Sequence, residues 1–395
     1  MLGLADIVIT GYGIKAPGAT NKSSFRHILQ KGICTQTVLT NVNQQQDSIT
    51  AGVIEEDFLE MNGTQYRRYP RAVRMAIAAA LDAAEMASLE YYEPHRIAVI
   101  IGTSAGAVLE IEQNAANGFN YKSYPIHGVS LVDTHTLSGS VAAALHTDGP
   151  AFTLTTGCTA SLDAVLMGKL LLESGAVDAC VVGGADAPLG QWTINGFKKL
   201  KSLATGAAPH ETGVPFSTKH HGFVLSEGAG VIILEQRQKA QHREQPIYGA
   251  IERVVSRNEG LPILRSDETG SHMLQVFQEA VGSSTPTYVN SQALGLEKND
   301  AIERHILLET FGNHVPVTSI KGMTGHSFGA MGAMQIIASL LSLEHNFIPP
   351  TIKTSGDGFE DTPIVFATKY QPVESICITA HGNSGNNACL FMTGA

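Results

Sequence analysis

A strand-to-helix unit occurs twice in this chain, and that duplication constrains the fold more than any single element does. The stretch "TTGCTASLDAVLMGKLLLESGAVDACVVGG" reads as strand, TGC corner, helix, strand and Gly pair. About 170 residues later, "SIKGMTGHSFGAMGAMQIIASLLSLEH", a loop and "SICITAHGNSG" repeat the order around a TGH corner. Two half-similar units are expected, 1–245 and 246–395, meeting at the polar "QRQKAQHREQP". Short β-branched runs predict strands at 6–11, 96–102, 151–156, 179–184 and 228–235 in the first half. In the second half they predict strands at 247–256, 287–291, 316–320, 363–368, 375–380 and 387–394. Helical periodicity covers 66–87, 160–174, 300–311 and 329–345. Nearly continuous apolar strands suit sheets covered on both faces, and their alternation with helices predicts an α/β architecture.

With 43% hydrophobic and 16% charged residues among 395, the chain can bury a large core, which argues against disorder. A net charge of −10 without a basic stripe makes nucleic acid and anionic membranes poor partners. The cysteines are Cys34, Cys158, Cys180, Cys377 and Cys389, with no CxxC spacing. An odd, scattered set suits a reducing cytoplasm rather than a disulfide framework or a Cys-type metal site. The start "MLGLADIVITGYG" lacks the features of a signal peptide, and runs such as "AMQIIASLLSL" are too short to span a bilayer.

The corners carry the chemistry. Cys158 stands where a helix begins, and the free N–H groups there would lower a thiol pKa and hold an oxyanion. A small buried apolar cysteine is the competing reading; Gly157 before it and the repeat partner His326 favour the nucleophile. His326 opens the second corner, among the small residues Gly325, Ser327, Gly329, Ala330 and Gly332, which allow close packing. A core histidine satisfied by a carbonyl is its alternative. Lys321 lies five residues upstream, and Glu303 in "NDAIE" is a plausible partner if Lys321 is buried. The third corner, "AHGNSGNNA" (380–388), offers either backbone N–H groups for an oxyanion or a simple tight turn. "TGYG" lacks dinucleotide-fingerprint spacing, and His220-His221 has no metal-site spacing.

Taken together, these blocks resemble the β-ketoacyl-acyl-carrier-protein synthases of the thiolase superfamily, the decarboxylating condensing enzymes, nearly end to end. "IVITGYGIKAPG" is similar to the family's opening strand, "TLTTGCTASLDAV" to its nucleophile motif, and "SIKGMTGHSFGAMGA" to its KxxxGHxxGAxG block. "PFSTKHHGFVLSEGAGVIILE" is similar to its PFD…R.GF..GEGAG segment. The resemblance implies a thiolase fold, duplicated βαβαβαβ halves in five layers α-β-α-β-α. It implies Cys158 as acyl acceptor, His326 as the second catalytic histidine, Lys321 and Glu303 as the supporting pair, and the Cys158 and Asn383 N–H groups as oxyanion hole. It implies no resident cofactor, since substrates arrive on the phosphopantetheine of an acyl carrier protein. It also implies a dimer, with a second ketosynthase chain or another copy, joined near the strand "AFTLTT" and a helix over 129–145.

The departures bear on activity. The family block NAHGTxTxxxD reads "NSQALGLEKND" here. Gln292 therefore stands in place of the first catalytic histidine, and Leu294 and Leu296 replace two threonines that hold the pantetheine arm. Asn383 replaces a phenylalanine gate; Ser217 and His220 replace the Asp and Arg of the PFD…R segment. Losing one donor to a developing oxyanion typically costs about 10²–10³ in rate, and each lost hydrogen bond to the arm about 0.5–1.5 kcal/mol. These losses favour a non-elongating subunit of fatty acid or polyketide biosynthesis, similar to a chain-length factor and paired with a competent ketosynthase. Such members usually lack the cysteine, which keeps two alternatives open. One is an enzyme that transfers acyl groups or processes thioesters through Cys158. The other is an active synthase in which Gln292 suffices.

Overall fold

The computed structural model describes residues 6–40, 48–55, 66, 68–116, 122, 124, 126–205, 208–262, 265–382 and 385–395. One sheet system contains β1 (Ile7–Lys15), β2 (Ile97–Gly102), β3 (Ala151–Leu154), β4 (Ala179–Asp186) and β5 (Gly228–Gln236) from the first half. It continues with β6 (Gly249–Asn258), β7 (Tyr288–Asn290), β8 (Val317–Thr318), β9 (Ser375–His381) and β10 (Asn386–Thr393) from the second. The spatial order is β8-β7-β9-β10-β6-β1-β5-β4-β2-β3. Read outward from the centre, each half runs antiparallel, antiparallel, parallel, parallel, so the duplication read in the sequence is a duplication of topology. The halves join where β1 pairs with β6, Ile7 opposite Ile251 through Ile9 opposite Gly249.

Helices cover both faces. α1 (Arg71–Ala87) and α2 (Thr136–Ala144) form an apolar cluster with one face of the first half. The cluster that includes α5 (Ser271–Val281) and α6 (Glu297–Phe311) covers the second. Two further helices, α3 (Ala160–Glu173) and α7 (Met331–His345), lie in the core between the halves, and α4 (Gln191–Lys199) follows β4. This is the expected α-β-α-β-α layering. Every residue of α7 from Met331 to Ser342 is buried, as a helix enclosed on all sides requires. The central helices meet through small residues. A Cβ on Gly332 would sit 2.8 Å from Leu162 Cγ, and Ser161 Oγ accepts the Ala333 N–H at 2.9 Å.

Local expectations need correction in four places. The helix expected over 129–145 is broken at Asp133, whose backbone is extended, into Val129–Val132 and Thr136–Ala144. The helix expected over 66–87 begins at Arg71, where Pro70 sits in its tolerated place at a helix start. α6 begins at Glu297, three residues before the expected start, because the extended backbone of Leu296 ends the preceding loop. Residues 363–368 form no strand: their neighbour β8 has two residues, and only a bridge from Val317 to Ile364 survives. No described helix is long and apolar enough to cross a membrane.

Candidate active site

β3 ends at Leu154, and the chain turns through Gly157–Thr159 into α3. Gly157 has φ +71°, a conformation that favours glycine and swings Cys158 toward the other half. Asp163, one turn into α3, accepts hydrogen bonds from the hydroxyls of Thr156 and Thr159, the latter at 2.7 Å, and so braces the corner. The second corner differs from the simple repeat of the first. His326 lies in a bridge rather than at a helix start: its N–H donates to Val224 O at 2.8 Å and its carbonyl accepts from Ser226 at 3.0 Å. The Phe328–Ala330 turn and α7 follow. Asp186, at the end of β4, ties the loop after β2 to the second corner by accepting from Thr103 Oγ, Ser104 N, Ala105 N and Gly329 N.

His326 Nε2 stands 3.2 Å from Cys158 Sγ. The expected thiolate is not the resting state. Burial, followed by the Asp186 carboxylate, pushes the Cys158 thiol up to about 12, with Lys321 opposing. Burial, then Lys321 and His381, holds His326 well below the ordinary imidazole range. The resting pair is thus a neutral thiol beside a neutral imidazole, because desolvation outweighs the partial charges of the helix start. Part of Cys158 faces a cavity of about 510 Å³ lined by Val108, Trp192, Phe197, Leu200 and Phe328 among others. Leu294 and Leu296 belong to the apolar cluster that also contains Phe328 and Cys158.

Lys321 and Glu303 are both buried, but they do not form the direct pair expected. Lys321 Nζ donates to Ser291 O at 3.0 Å, while Ser291 Oγ donates to Glu303 Oε2 at 2.6 Å. The two charges interact across Ser291. Burial drives Lys321 down to about 7 against the pull of Glu303 and Asp300. Gln292 lies in the same nest. Its N–H donates to Glu303 Oε2 at 3.2 Å and Thr379 Oγ at 2.9 Å, and its side-chain Nε2 donates to His381 O at 3.2 Å. Gln292 Oε1 and His326 Nδ1 are buried without a hydrogen-bond partner among the described residues. A Cβ on Gly382 would lie 3.4 Å from Cys158 N and 3.9 Å from its Sγ, so the end of β9 abuts the thiol. Asn383, expected to complete the oxyanion hole, lies outside the described residues.

Sequence reading singled out none of His381, Asp300, Asp186 and Asp163. Asp300 is fully buried and accepts from Leu294 N, Gly295 N and Phe216 N, which fixes the loop after Gln292; burial pushes it up to about 7. Asp300 closes the quoted "NSQALGLEKND" block without having been given a role, and the others are single polar residues without a spacing signature. For His381 the available signal was a histidine ending the strand run "ICITAH".

The chain matches the model of the beta-ketoacyl synthase N-terminal domain over residues 4–240 and that of the C-terminal domain over 248–355. It belongs to the β-ketoacyl synthase family. It is 30% identical over 373 residues to the tetracenomycin polyketide synthase ketoacyl synthase alpha subunit of Streptomyces glaucescens, covering 87% of this chain and 86% of that one. It is 28% identical over 362 residues to 3-oxoacyl-[acyl-carrier-protein] synthase 2 of Staphylococcus aureus (strain COL), covering 88% and 87%. Among solved structures, the ishigamide ketosynthase/chain length factor shares the fold with a TM-score of 0.88 at 24% identity over 100% of both chains. A ketosynthase solved with its type II acyl-carrier protein gives 0.89 at 22%, covering 99% of this chain and 100% of that one.

Alkylation with iodoacetamide and peptide mapping should label Cys158 ahead of Cys180, Cys377 and Cys389, which are buried. A thiol held near 12 is ionised further with each unit of pH, so the rate should climb from pH 7 to 10 without a plateau. A plateau below pH 8 would show a thiolate already formed, and labelling no faster than Cys180 would remove Cys158 as the reactive thiol.

Proposed function

We propose that this chain is a non-elongating ketosynthase subunit of polyketide or fatty acid biosynthesis, working beside a condensing ketosynthase in the manner of a chain length factor. One observation carries the reading. At the position where the family places an imidazole, Gln292 commits its amide nitrogen to the His381 carbonyl and leaves Oε1 as a buried acceptor. An acceptor facing an enolate oxygen repels it, so decarboxylation of a malonyl thioester lacks one of its donors. The relatives named as polyketide ketosynthase subunits and the fold shared with a ketosynthase/chain length factor support the pathway and the pairing. Acyl groups would arrive on the phosphopantetheine of an acyl carrier protein, with no resident cofactor. We retain 1–245 and 246–395 as the two functional halves and a cytoplasmic location.

The intact Cys158–His326 contact favours a second activity, acyl transfer. In that step Cys158 Sγ passes its proton to His326 and attacks the thioester carbonyl. The new S–acyl bond forms, the bond to the donor sulfur breaks, and the proton leaves with the donor thiol. The Cys158 N–H supplies part of the oxyanion site. Lys321 and Glu303 set the charge around the imidazole. The test is acyl uptake from a short acyl thioester, followed by intact mass, against CO₂ release from a malonyl thioester by the same chain. Release as fast as uptake would overturn the non-elongating reading.

Pairing has its own signature. β3 is one of the two edge strands of the sheet, its outer ladder unpaired among the described residues and left partly apolar by Phe152, and Val129, Val132 and Ile126 are exposed nearby in the chain. The expected outcome is a dimer in light scattering at micromolar concentration, preferentially with a second ketosynthase chain when the two are co-expressed. A stable, folded monomer would contradict it.

A further inference from the structure

We propose that His381 is a positioning residue of this site, an imidazole that holds the buried Glu303 carboxylate beside Gln292 and the Cys158 corner. The inference rests on Cys158 as an acyl acceptor. It starts from a buried charge. Glu303 has no solvent exposure and two oxygens to satisfy. Oε2 accepts from Ser291 Oγ and Thr379 Oγ, each at 2.6 Å, and from Gln292 N at 3.2 Å. Oε1 is met by His381 Nε2 at 3.1 Å, while Lys321 points at the Ser291 carbonyl instead. An uncompensated buried carboxylate costs several kcal/mol. Burial raises Glu303, and the His381 ring together with the two hydroxyls more than reverses this, so the group stays ionised.

A carboxylate accepts only, so Nε2 carries a proton toward Glu303. Asn299 Nδ2 lies 3.4 Å from Nδ1. Two further links run from this residue to the reaction. Its carbonyl holds the Gln292 amide, and the next residue, Gly382, lies against Cys158. When the Cys158 proton moves to His326, an imidazolium forms in a site that also holds Lys321 and disfavours positive charge. Glu303 is a buried carboxylate that acts on Lys321, the cation that disfavours that imidazolium, and His381 holds the carboxylate in place. The strand β9 thereby contributes an imidazole to Glu303 Oε1, while Ser291, which Lys321 contacts, meets Oε2, at a position distant from residue 292 in sequence.

The test is self-acylation of the full chain by hexanoyl-N-acetylcysteamine, followed by intact mass across thioester concentrations, with iodoacetamide alkylation of Cys158 in parallel. His381→Phe keeps a ring and removes the N–H. It should lower the saturating rate at least about tenfold, the loss of one hydrogen bond to a charged group, with the half-saturating concentration unchanged. His381→Gln retains a donor and should stay within about threefold of wild type. Equal losses in both variants, or none in His381→Phe, would overturn the proposal. If His381→Phe does not fold, His381→Gln, Glu303→Gln and their combination decide it. A double variant no worse than Glu303→Gln alone supports one unit, and losses that multiply overturn it. If no acyl group is taken up but alkylation still follows the His381 series, the acyl-acceptor reading fails and the positioning role stands.

Discussion

Replacing Gln292 with histidine will raise CO₂ release from a malonyl thioester by up to about 10²–10³, the usual worth of one donor to a developing oxyanion. The amide now at this position cannot be turned to the purpose. Its nitrogen is held by the His381 carbonyl, and flipping it would set Oε1 against that carbonyl oxygen. The gain will remain incomplete, because Leu294 and Leu296 present an apolar wall where a carrier arm would need hydroxyls. Adding Leu294→Thr and Leu296→Thr to Gln292→His should raise the rate by more than the separate effects combined, since all three groups act on one substrate. The two Leu changes also remove apolar contacts, and a loss of about 1–3 kcal/mol of stability is expected from them. Labelled CO₂ release by wild type, the single and the triple variant, each checked for folding by circular dichroism, is the measurement. Fast release by the unmodified chain would make Gln292 a working replacement for the histidine and bring the elongating synthase to the front.

His326→Ala should slow acyl uptake at Cys158 by about 10²–10⁴, the range for losing a positioned base. The thiol's position decides this. With a pKa of about 12, the free thiolate at pH 7 amounts to about one part in 10⁵, so attack by a pre-ionised sulfur cannot carry the reaction. The proton must move during attack, and His326 Nε2 at 3.2 Å is the acceptor in reach. Without it, the residual rate should rise about tenfold per pH unit from 7 to 10, following the thiolate fraction, while wild type changes less steeply. Uptake by His326→Ala at the wild-type rate would show that another group takes the proton. The substitution empties a buried position, so folding must be confirmed alongside; the steeper pH profile separates a lost base from a damaged fold.

What was legible in the sequence was whatever local pattern encodes. The apolar runs, the Gly-marked corners and the second copy of strand–corner–helix–strand determine the α/β layering. Each half can bury its strands only by covering them, and α7, apolar on every side, has nowhere to go but the middle. The block around Cys158 and the block around His326 were likewise readable as one site, because duplication predicts that equivalent corners meet. The tertiary structure alone decided the charges and their pairing. Cys158 looked activated by its helix start, but the protein closing over it and the nearby Asp186 outweigh that effect. Glu303 looked like the partner of Lys321, yet Ser291 stands between them and the carboxylate meets His381. His381 and Glu303 are 78 residues apart. No spacing rule links the end of a strand to the inner face of a helix that packs on it, because which side chains share a buried volume depends on how the layers dock. Solvation follows from the same docking: a group's pKa is set by what surrounds it in space, and the chain order records only what precedes and follows it.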